Sequence, residues 1–203
     1  MRVCLLDLGL GNMLSLRRGL ERAGAEVLVV NDDKGGAADA DAVVLPGVGG
    51  FRDGAVAIGR FGSTMDEVRK GKPLLGICLG MQLLFSKGFE GGEFDGLGLI
   101  DGDVVRLPPS IGIKIPHMGW NSVNVKGPSR LLNGAMDGQY FYFVHSYYCE
   151  PREKEVVVAE CDYGITMPAV VEKGNIFGTQ FHPEKSGRAG LDLMMNFLEA
   201  AKR

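Results

Sequence analysis

The chain has 203 residues, 45% hydrophobic and 23% charged, with a formal net charge of -3. That length and composition predict one globular α/β domain, residues 1–203, with a full hydrophobic core. Lysines and arginines are scattered, so nothing points to nucleic acid or an anionic membrane surface as a partner. The longest uncharged run, Pro73 to Ser86, falls short of the ~20 apolar residues of a spanning helix. The start, Met1-Arg-Val-Cys-Leu-Leu-Asp7, enters a strand directly and lacks a signal-peptide layout. Cysteines 4, 78, 149 and 161 form no Cys-x-x-Cys pair. A reducing, cytoplasmic setting is expected, with no cofactor.

Val3 to Leu8 read as a strand, Met13 to Ala23 as a helix stopped by Gly24, and Val27 to Val30 and Ala42 to Leu45 as further strands. The last of these ends in Pro46-Gly-Val-Gly-Gly50. A helical stretch broken near Gly62 then runs to about Lys70. Pro73 to Ile77 read as a buried strand and Leu79 to Phe85 as a helix. The second half has short strands at Leu97 to Leu107, Ser122 to Val125, Tyr140 to Cys149, Val156 to Cys161, Ala169 to Val171 and Ile176 to Thr179. A helix from Arg188 to Ala201 ends the chain, with Leu191, Met194, Met195 and Leu198 as its apolar stripe. The alternation predicts a three-layer, doubly wound, mainly parallel but mixed sheet with helices on both faces.

Cys78 stands where a strand turns into a helix, with Gly76 two residues before it and Gly80 two after. This is the layout of a nucleophile elbow with sulfur in place of oxygen. A helix N-terminus favours the thiolate, and the Leu79 backbone N–H would face an oxyanion formed beside the sulfur. In isolation, a cysteine in an apolar run is more often an inert core residue. A base decides between the two. His182, in Phe181-His-Pro-Glu-Lys-Ser186, follows the strand Ile176 to Thr179, where Pro183 ends regular pairing. It would project from a strand end, where α/β sheets carry functional groups, and Glu184 can orient it. His145 competes for that role, but its apolar strand suits a satisfied core or wall histidine. His117 falls in a loop beside Trp120. The three histidines lack ligand-like spacing, so no metal site is expected.

Gly76-Ile-Cys-Leu-Gly-Met-Gln82 with His182-Pro-Glu184 resembles the class I, or triad, glutamine amidotransferases. Leu45-Pro-Gly-Val-Gly49, Pro116-His-Met-Gly-Trp-Asn121, Tyr142-Phe-Val-His-Ser-Tyr147 and His182-Pro-Glu-Lys-Ser186 narrow the resemblance to the glutaminase subunits of imidazole glycerol phosphate synthase. It extends over nearly the whole chain. One departure is Leu8, where that family usually has tyrosine. The resemblance implies that Cys78, His182 and Glu184 hydrolyse L-glutamine to glutamate and ammonia. It implies an oxyanion hole from Leu79 and the Gly47, Val48 and Gly49 loop, and a glutamine site with Gln82, Ser146 and Tyr147. The ammonia would pass to a cyclase subunit with a (βα)₈ barrel for imidazole glycerol phosphate and AICAR formation in histidine biosynthesis. The two chains would form a heterodimer through Asn12, His117, Met118, Trp120, Asn121 and Lys185. Three readings stay open beside it: an amidotransferase serving pyridoxal phosphate, tryptophan or purine synthesis, a stand-alone cysteine hydrolase, and a non-catalytic protein of the same fold.

Overall fold

The computed structural model describes residues 1–11, 13–33, 39–109 and 113–202. In chain order the elements are β1 (Arg2–Leu6), α1 (Met13–Arg22), β2 (Glu26–Val30), β3 (Ala42–Leu45), α2 (Phe51–Ile58), α3 (Gly62–Arg69), β4 (Leu74–Ile77) and α4 (Leu79–Leu83). Then come β5 (Phe85–Gly88), β6 (Phe94–Asp95), β7 (Ile100–Arg106), β8 (His117–Ser122), β9 (Asn124–Val125), β10 (Tyr140–His145) and β11 (Tyr147–Pro151). The chain closes with β12 (Val157–Asp162), β13 (Thr166–Lys173), β14 (Ile176–Thr179) and α5 (Gly187–Ala200).

The main sheet has the order β2-β1-β3-β4-β14-β13-β12-β9. Its first five strands are parallel and the last three alternate in direction, so the sheet is mixed as expected. β3 and β4 are buried at every position, which is why they read as unbroken apolar runs rather than alternating ones. One face packs Leu16 and Leu20 of α1 and Leu193, Met194 and Phe197 of α5. The other packs Phe51 and Ile58 of α2, Met65 and Val68 of α3, and Leu79 and Leu83 of α4. These are the three layers. Eight of the ten phenylalanines are fully buried, each contributing roughly 1.5–3 kcal/mol of transfer free energy. Aromatic packing therefore dominates the core that holds the sheet ends in place.

Two smaller sheets flank this core. One has the order β11-β7-β5-β6, and the other is the two-stranded ribbon β10-β8. They account for most departures from the sequence reading. The expected strand Tyr140 to Cys149 is two strands, because the chain changes sheets at Ser146: β10 pairs with β8 and β11 with β7. The expected helix Leu79 to Phe85 ends at Leu83, since Phe85 joins β5 beside β7. His117, expected in a loop, opens β8. The helical stretch breaks at residues 59–61, a 3₁₀ turn, just ahead of Gly62. In α5, Met194 and Leu198 of the expected stripe are buried and are joined by Leu193 and Phe197, whereas Met195 is 43% exposed.

β3, β4 and β14 are adjacent, with Leu45 beside Gly76 and Ile77 beside Thr179. The segments leaving their carboxyl ends are Pro46 to Gly50, Cys78, and Gln180 to Glu184. The register therefore gathers the loop, the cysteine and the histidine at one end of the sheet, where open α/β sheets bind ligands.

Candidate active site

Cys78 has φ 54 and ψ −108, and among the described residues it alone combines a side chain with a positive φ. Such strain persists where the surroundings over-determine it. Here the Cys78 N–H donates to the Thr179 carbonyl at 2.8 Å, and the Cys78 carbonyl accepts from Gln82 N–H at 3.1 Å. The neighbouring glycines are required by close approach. A Cβ on Gly80 would lie 1.7 Å from the Leu45 carbonyl oxygen, and one on Gly76 would lie 2.7 Å from the Gly80 backbone. Because α4 has only five residues, its dipole aids a thiolate less than the expected longer helix would.

His182 and Glu184 are buried beside this corner, and His182 Nδ1 lies 2.9 Å from Glu184 Oε1. A carboxylate accepts, so Nδ1 carries a proton. The opposite nitrogen, Nε2, is buried without a hydrogen-bond partner. Burial opposes charge on His182, but interactions with Cys78 and Glu184 outweigh it and push the pKa up to about 9. Cys78 and Glu184 together support an imidazolium, with Glu184 on Nδ1 and Nε2 left to exchange a proton with a reacting group. An unpaired buried nitrogen ordinarily costs about 1–3 kcal/mol. Its retention points to chemistry rather than packing.

The thiol of Cys78 lies 3.7 Å from the Val144 carbonyl, and Gln180 Nε2 lies 3.8 Å from the sulfur. Beside it is a cavity of about 260 Å³ lined by Val48, Gly49, Gln82, Glu90, Ser146 and Tyr147, among others. Gln82 is buried, not solvated. Its amide nitrogen donates to the Tyr147 carbonyl at 2.9 Å and to Gln180 Oε1 at 3.2 Å. Its own carbonyl oxygen is what it can offer a ligand. Ser146 lines the wall where the chain changes sheets, and its carbonyl accepts from Leu107 N–H. A larger cleft of about 770 Å³ lies between β11 and β12–β13, and no triad residue lines it. The smaller cavity is the one that Cys78 lines.

The sequence reading named the oxyanion donors and left open whether they stand ready. Leu79 N–H donates to the Gly47 carbonyl at 3.3 Å, and Val48 N–H donates to the Leu10 carbonyl at 3.3 Å. Both donors are therefore occupied by backbone carbonyls. Gly49 has φ +123, a conformation open to glycine.

Two residues at the site escaped the sequence reading. Glu90 lines the cavity and accepts the Phe51 N–H at 2.6 Å at the start of α2. Gln180 is wholly buried beside the sulfur. Each depends on a partner distant in the chain, although Glu90 is the one acidic side chain on the cavity wall.

Of the expected contact residues, Met118 and Trp120 are 62% and 55% exposed on the outer face of the ribbon. Trp120 meets Tyr142 edge to face at 6.1 Å, and Lys185 Nζ lies 5.6 Å from the Tyr142 ring. His117 differs: it faces inward, is 2% exposed and presents no surface to a partner. The strand alternation that exposes Met118 and Trp120 turns His117 and Asn121 inward. Asn121 is half-buried, with its amide on the Asp162 carbonyl at 2.8 Å. Asn12 lies outside the described residues. Among those residues no cluster of three or more potential metal ligands occurs, and no helix is long and apolar enough to cross a membrane.

Residues 4–201 match the family model of glutamine amidotransferase class-I. The chain is 47% identical to an "Imidazole glycerol phosphate synthase subunit HisH" of Moorella thermoacetica, covering 98% of this chain and 95% of that one. It is 50% identical to a subunit of the same name from Halobacterium salinarum, over 97% of this chain and 92% of the relative. Among solved structures, a putative GMP synthase subunit from Thermoplasma acidophilum matches with a TM-score of 0.76 at 20% identity, covering 100% of this chain and 94% of that one. PurLQS from Thermotoga maritima matches at 0.76 and 23% identity, covering 98% of each chain. These two speak for the fold alone. The chain belongs to the class I glutamine amidotransferases and, within them, to the family of HisH subunits.

Proposed function

We propose that this chain is the glutaminase subunit of an imidazole glycerol phosphate synthase and acts as one domain through Cys78, His182 and Glu184. The observation that carries this reading is the buried His182–Glu184 pair with a free Nε2 beside the strained Cys78 corner. Membership of the class I glutamine amidotransferases supports glutamine as the substrate of this site. With His182 pushed up to about 9, the imidazolium form dominates at neutral pH. The Cys78 thiol proton passes to His182 Nε2, and the sulfur attacks the side-chain carboxamide carbon of glutamine to form a tetrahedral oxyanion. His182 Nε2–H protonates the departing amine, and a γ-glutamyl thioester remains. His182 then takes a proton from water, which attacks the thioester and releases glutamate. Gln82 and the Ser146–Tyr147 wall hold the amino-acid end of the substrate. Glu90 supplies a negative charge suited to its ammonium group.

The oxyanion needs the Leu79 N–H and an N–H from Gly47 to Gly49, so the Gly47 carbonyl must first swing away. A partner that stabilises the turned loop would switch the enzyme on. The partner is a cyclase with a (βα)₈ barrel, forming a heterodimer through the outer ribbon face of Met118 and Trp120 together with Lys185. An exposed tryptophan backed by a second ring suits an interface anchor. Ammonia is largely protonated in neutral water, so a sheltered passage to the acceptor keeps it nucleophilic. Four free cysteines, one of them the nucleophile, suit a cytoplasmic enzyme.

The test is glutamine hydrolysis by wild type and Cys78→Ala, with and without a (βα)₈ cyclase and its nucleotide ligand. Wild-type turnover should be slow alone and rise at least about tenfold in the complex, with none in the variant. No rise with the cyclase would overturn the assignment.

A further inference from the structure

His117 and His145 are directly opposite each other in the ribbon and both face inward. His117 Nδ1 lies 3.0 Å from His145 Nε2, and His145 Nδ1 lies 2.9 Å from the Tyr147 carbonyl oxygen. A carbonyl can only accept, so His145 carries its proton on Nδ1. Burial pushes the pKa of His145 down to about 3 and that of His117 down to about 4. Both rings are neutral at physiological pH, and each holds one proton. His145 Nε2 is therefore bare and accepts, so His117 donates from Nδ1. His117 Nε2 is then bare in turn, facing the Asn121 amide nitrogen at 3.4 Å. One tautomer per ring satisfies the whole chain. The plane of His117 is fixed by stacking on Phe143 at 4.7 Å and Tyr163 at 3.9 Å.

The far end of this chain lies in the pocket. The Tyr147 carbonyl takes one hydrogen bond from His145 and a second from Gln82 Nε2, which fills both of its lone pairs. The other hydrogen of that Gln82 nitrogen goes to Gln180, whose own amide faces Cys78. The side-chain carbonyl of Gln82 is thus aimed by a buried polar path that begins in the ribbon. Such paths are worth most when every member is satisfied.

We propose that His117 and His145 are positioning residues for glutamine binding: through the Tyr147 carbonyl they fix the amide of Gln82 and the Ser146–Tyr147 wall. This rests on the glutaminase reading of the pocket. His145 reaches the cavity wall but His117 does not, so loss of His117 should weaken binding more than chemistry. Packing alone would predict a different result, because a phenylalanine fills the His117 site between two aromatic rings and should be tolerated.

The experiment is steady-state glutamine hydrolysis by the cyclase complex, with KM and kcat resolved, for wild type, His117→Phe and His117→Asn. His117→Phe leaves His145 Nε2 without a donor and should raise KM roughly five- to tenfold, with kcat within about threefold. His117→Asn places an amide N–H where Nδ1–H stood and should recover most of that KM. An unchanged KM in His117→Phe, or equal KM in both variants, overturns the proposal. Absence of glutamine hydrolysis in wild type would instead overturn the glutaminase reading. ¹⁵N imidazole NMR of the wild type tests the chain even if a variant does not fold. His117 and His145 should both be Nδ1–H tautomers, and an Nε2–H signal from either ring breaks the path.

Discussion

Cys78 and the Gly47–Gly49 loop flank one cavity but are built on different terms. The cysteine corner is closed on all sides. Its N–H is bonded to Thr179, its carbonyl to Gln82, and its flanking glycines press on Leu45 and on each other. Few alternative conformations are open to it. The loop is held by two backbone hydrogen bonds of 3.3 Å, and a Cβ on Gly49 would meet only one atom within 4 Å, Leu10 Cδ2 at 3.9 Å. The cysteine is held by a short hydrogen bond and close backbone contacts, whereas the loop is held by longer bonds and has open space at Gly49. Under the proposed function, an enzyme whose product is consumed by a second protein would gain from this division, because glutamine would be hydrolysed only with the loop turned. Turning it requires a conformational shift of a few kcal/mol, within reach of a partner's binding energy.

The largest effect should come from the locked side. Cys78→Ala removes the nucleophile and should lower kcat by at least about 10⁴-fold while leaving the fold intact. A circular dichroism spectrum and melting curve matching wild type would confirm that chemistry alone is lost. Glu184→Gln should come next, with kcat lowered roughly 10²–10⁴-fold, because the imidazolium loses its carboxylate. It also changes pH dependence. The folded pKa of His182, about 9, lies above the roughly 6.5 of an unfolded histidine. Its proton therefore stabilises the fold fully below pH 6.5, and that stabilisation is lost as pH rises through 9. Urea unfolding at pH 6 and pH 9.5 should show a drop in wild type that is smaller, but not abolished, in Glu184→Gln, because the Cys78 interaction that also raises this pKa remains. Equal drops would mean that the Glu184 contact is not what holds the charge.

Gly80→Ala probes the corner without touching its chemistry. The added methyl would stand 1.7 Å from a backbone carbonyl that cannot move without dislodging β3. A loss of at least about 3 kcal/mol in stability is expected, measured by urea unfolding. A near-neutral result would show that the corner has slack, and the contrast with the loop would fail.

The same contrast explains how much of the site could be read from the sequence. Cys78 and His182 were legible because their signals are local: glycines two residues either side of the cysteine, and a proline that ends pairing after the histidine. The parallel half of the sheet was legible because two-sided burial makes continuous apolar runs. The ribbon was not. β8 reads His-Met-Gly-Trp-Asn-Ser, with polar residues turned inward and large apolar ones outward, the reverse of an ordinary strand. Its inward polar residues are tolerated because His117 is paired with His145, 28 positions away. The switch at Ser146 was hidden for a similar reason. Tyr140 to Cys149 is one apolar run, and only partners elsewhere divide it between two sheets. Gln180 meets Gln82 across 98 positions, and no local pattern encodes that meeting. The state of the oxyanion loop was also unreadable, because Gly47-Val-Gly49 permits both orientations.

The smallest effect should come from the loop, and it bears most directly on the contrast. Gly49 has φ +123, which disfavours any residue with a Cβ by about 1–2 kcal/mol. Gly49→Ala meets no close atom, so the penalty is conformational and falls on the resting arrangement. If the turned arrangement carries Gly49 at an ordinary negative φ, the substitution shifts the balance toward it. Basal turnover of the isolated chain should then rise about five- to tenfold, since 1.4 kcal/mol corresponds to a factor of ten. Turnover in the cyclase complex, where the loop is already turned, should change by less than about twofold. The degree of stimulation would shrink because its lower limit rises. If basal turnover stays the same while stability falls, Gly49 keeps its φ in both arrangements, and the moving peptide lies between Gly47 and Val48. A fall in both rates would mean that glycine at this position is needed for the turned loop itself.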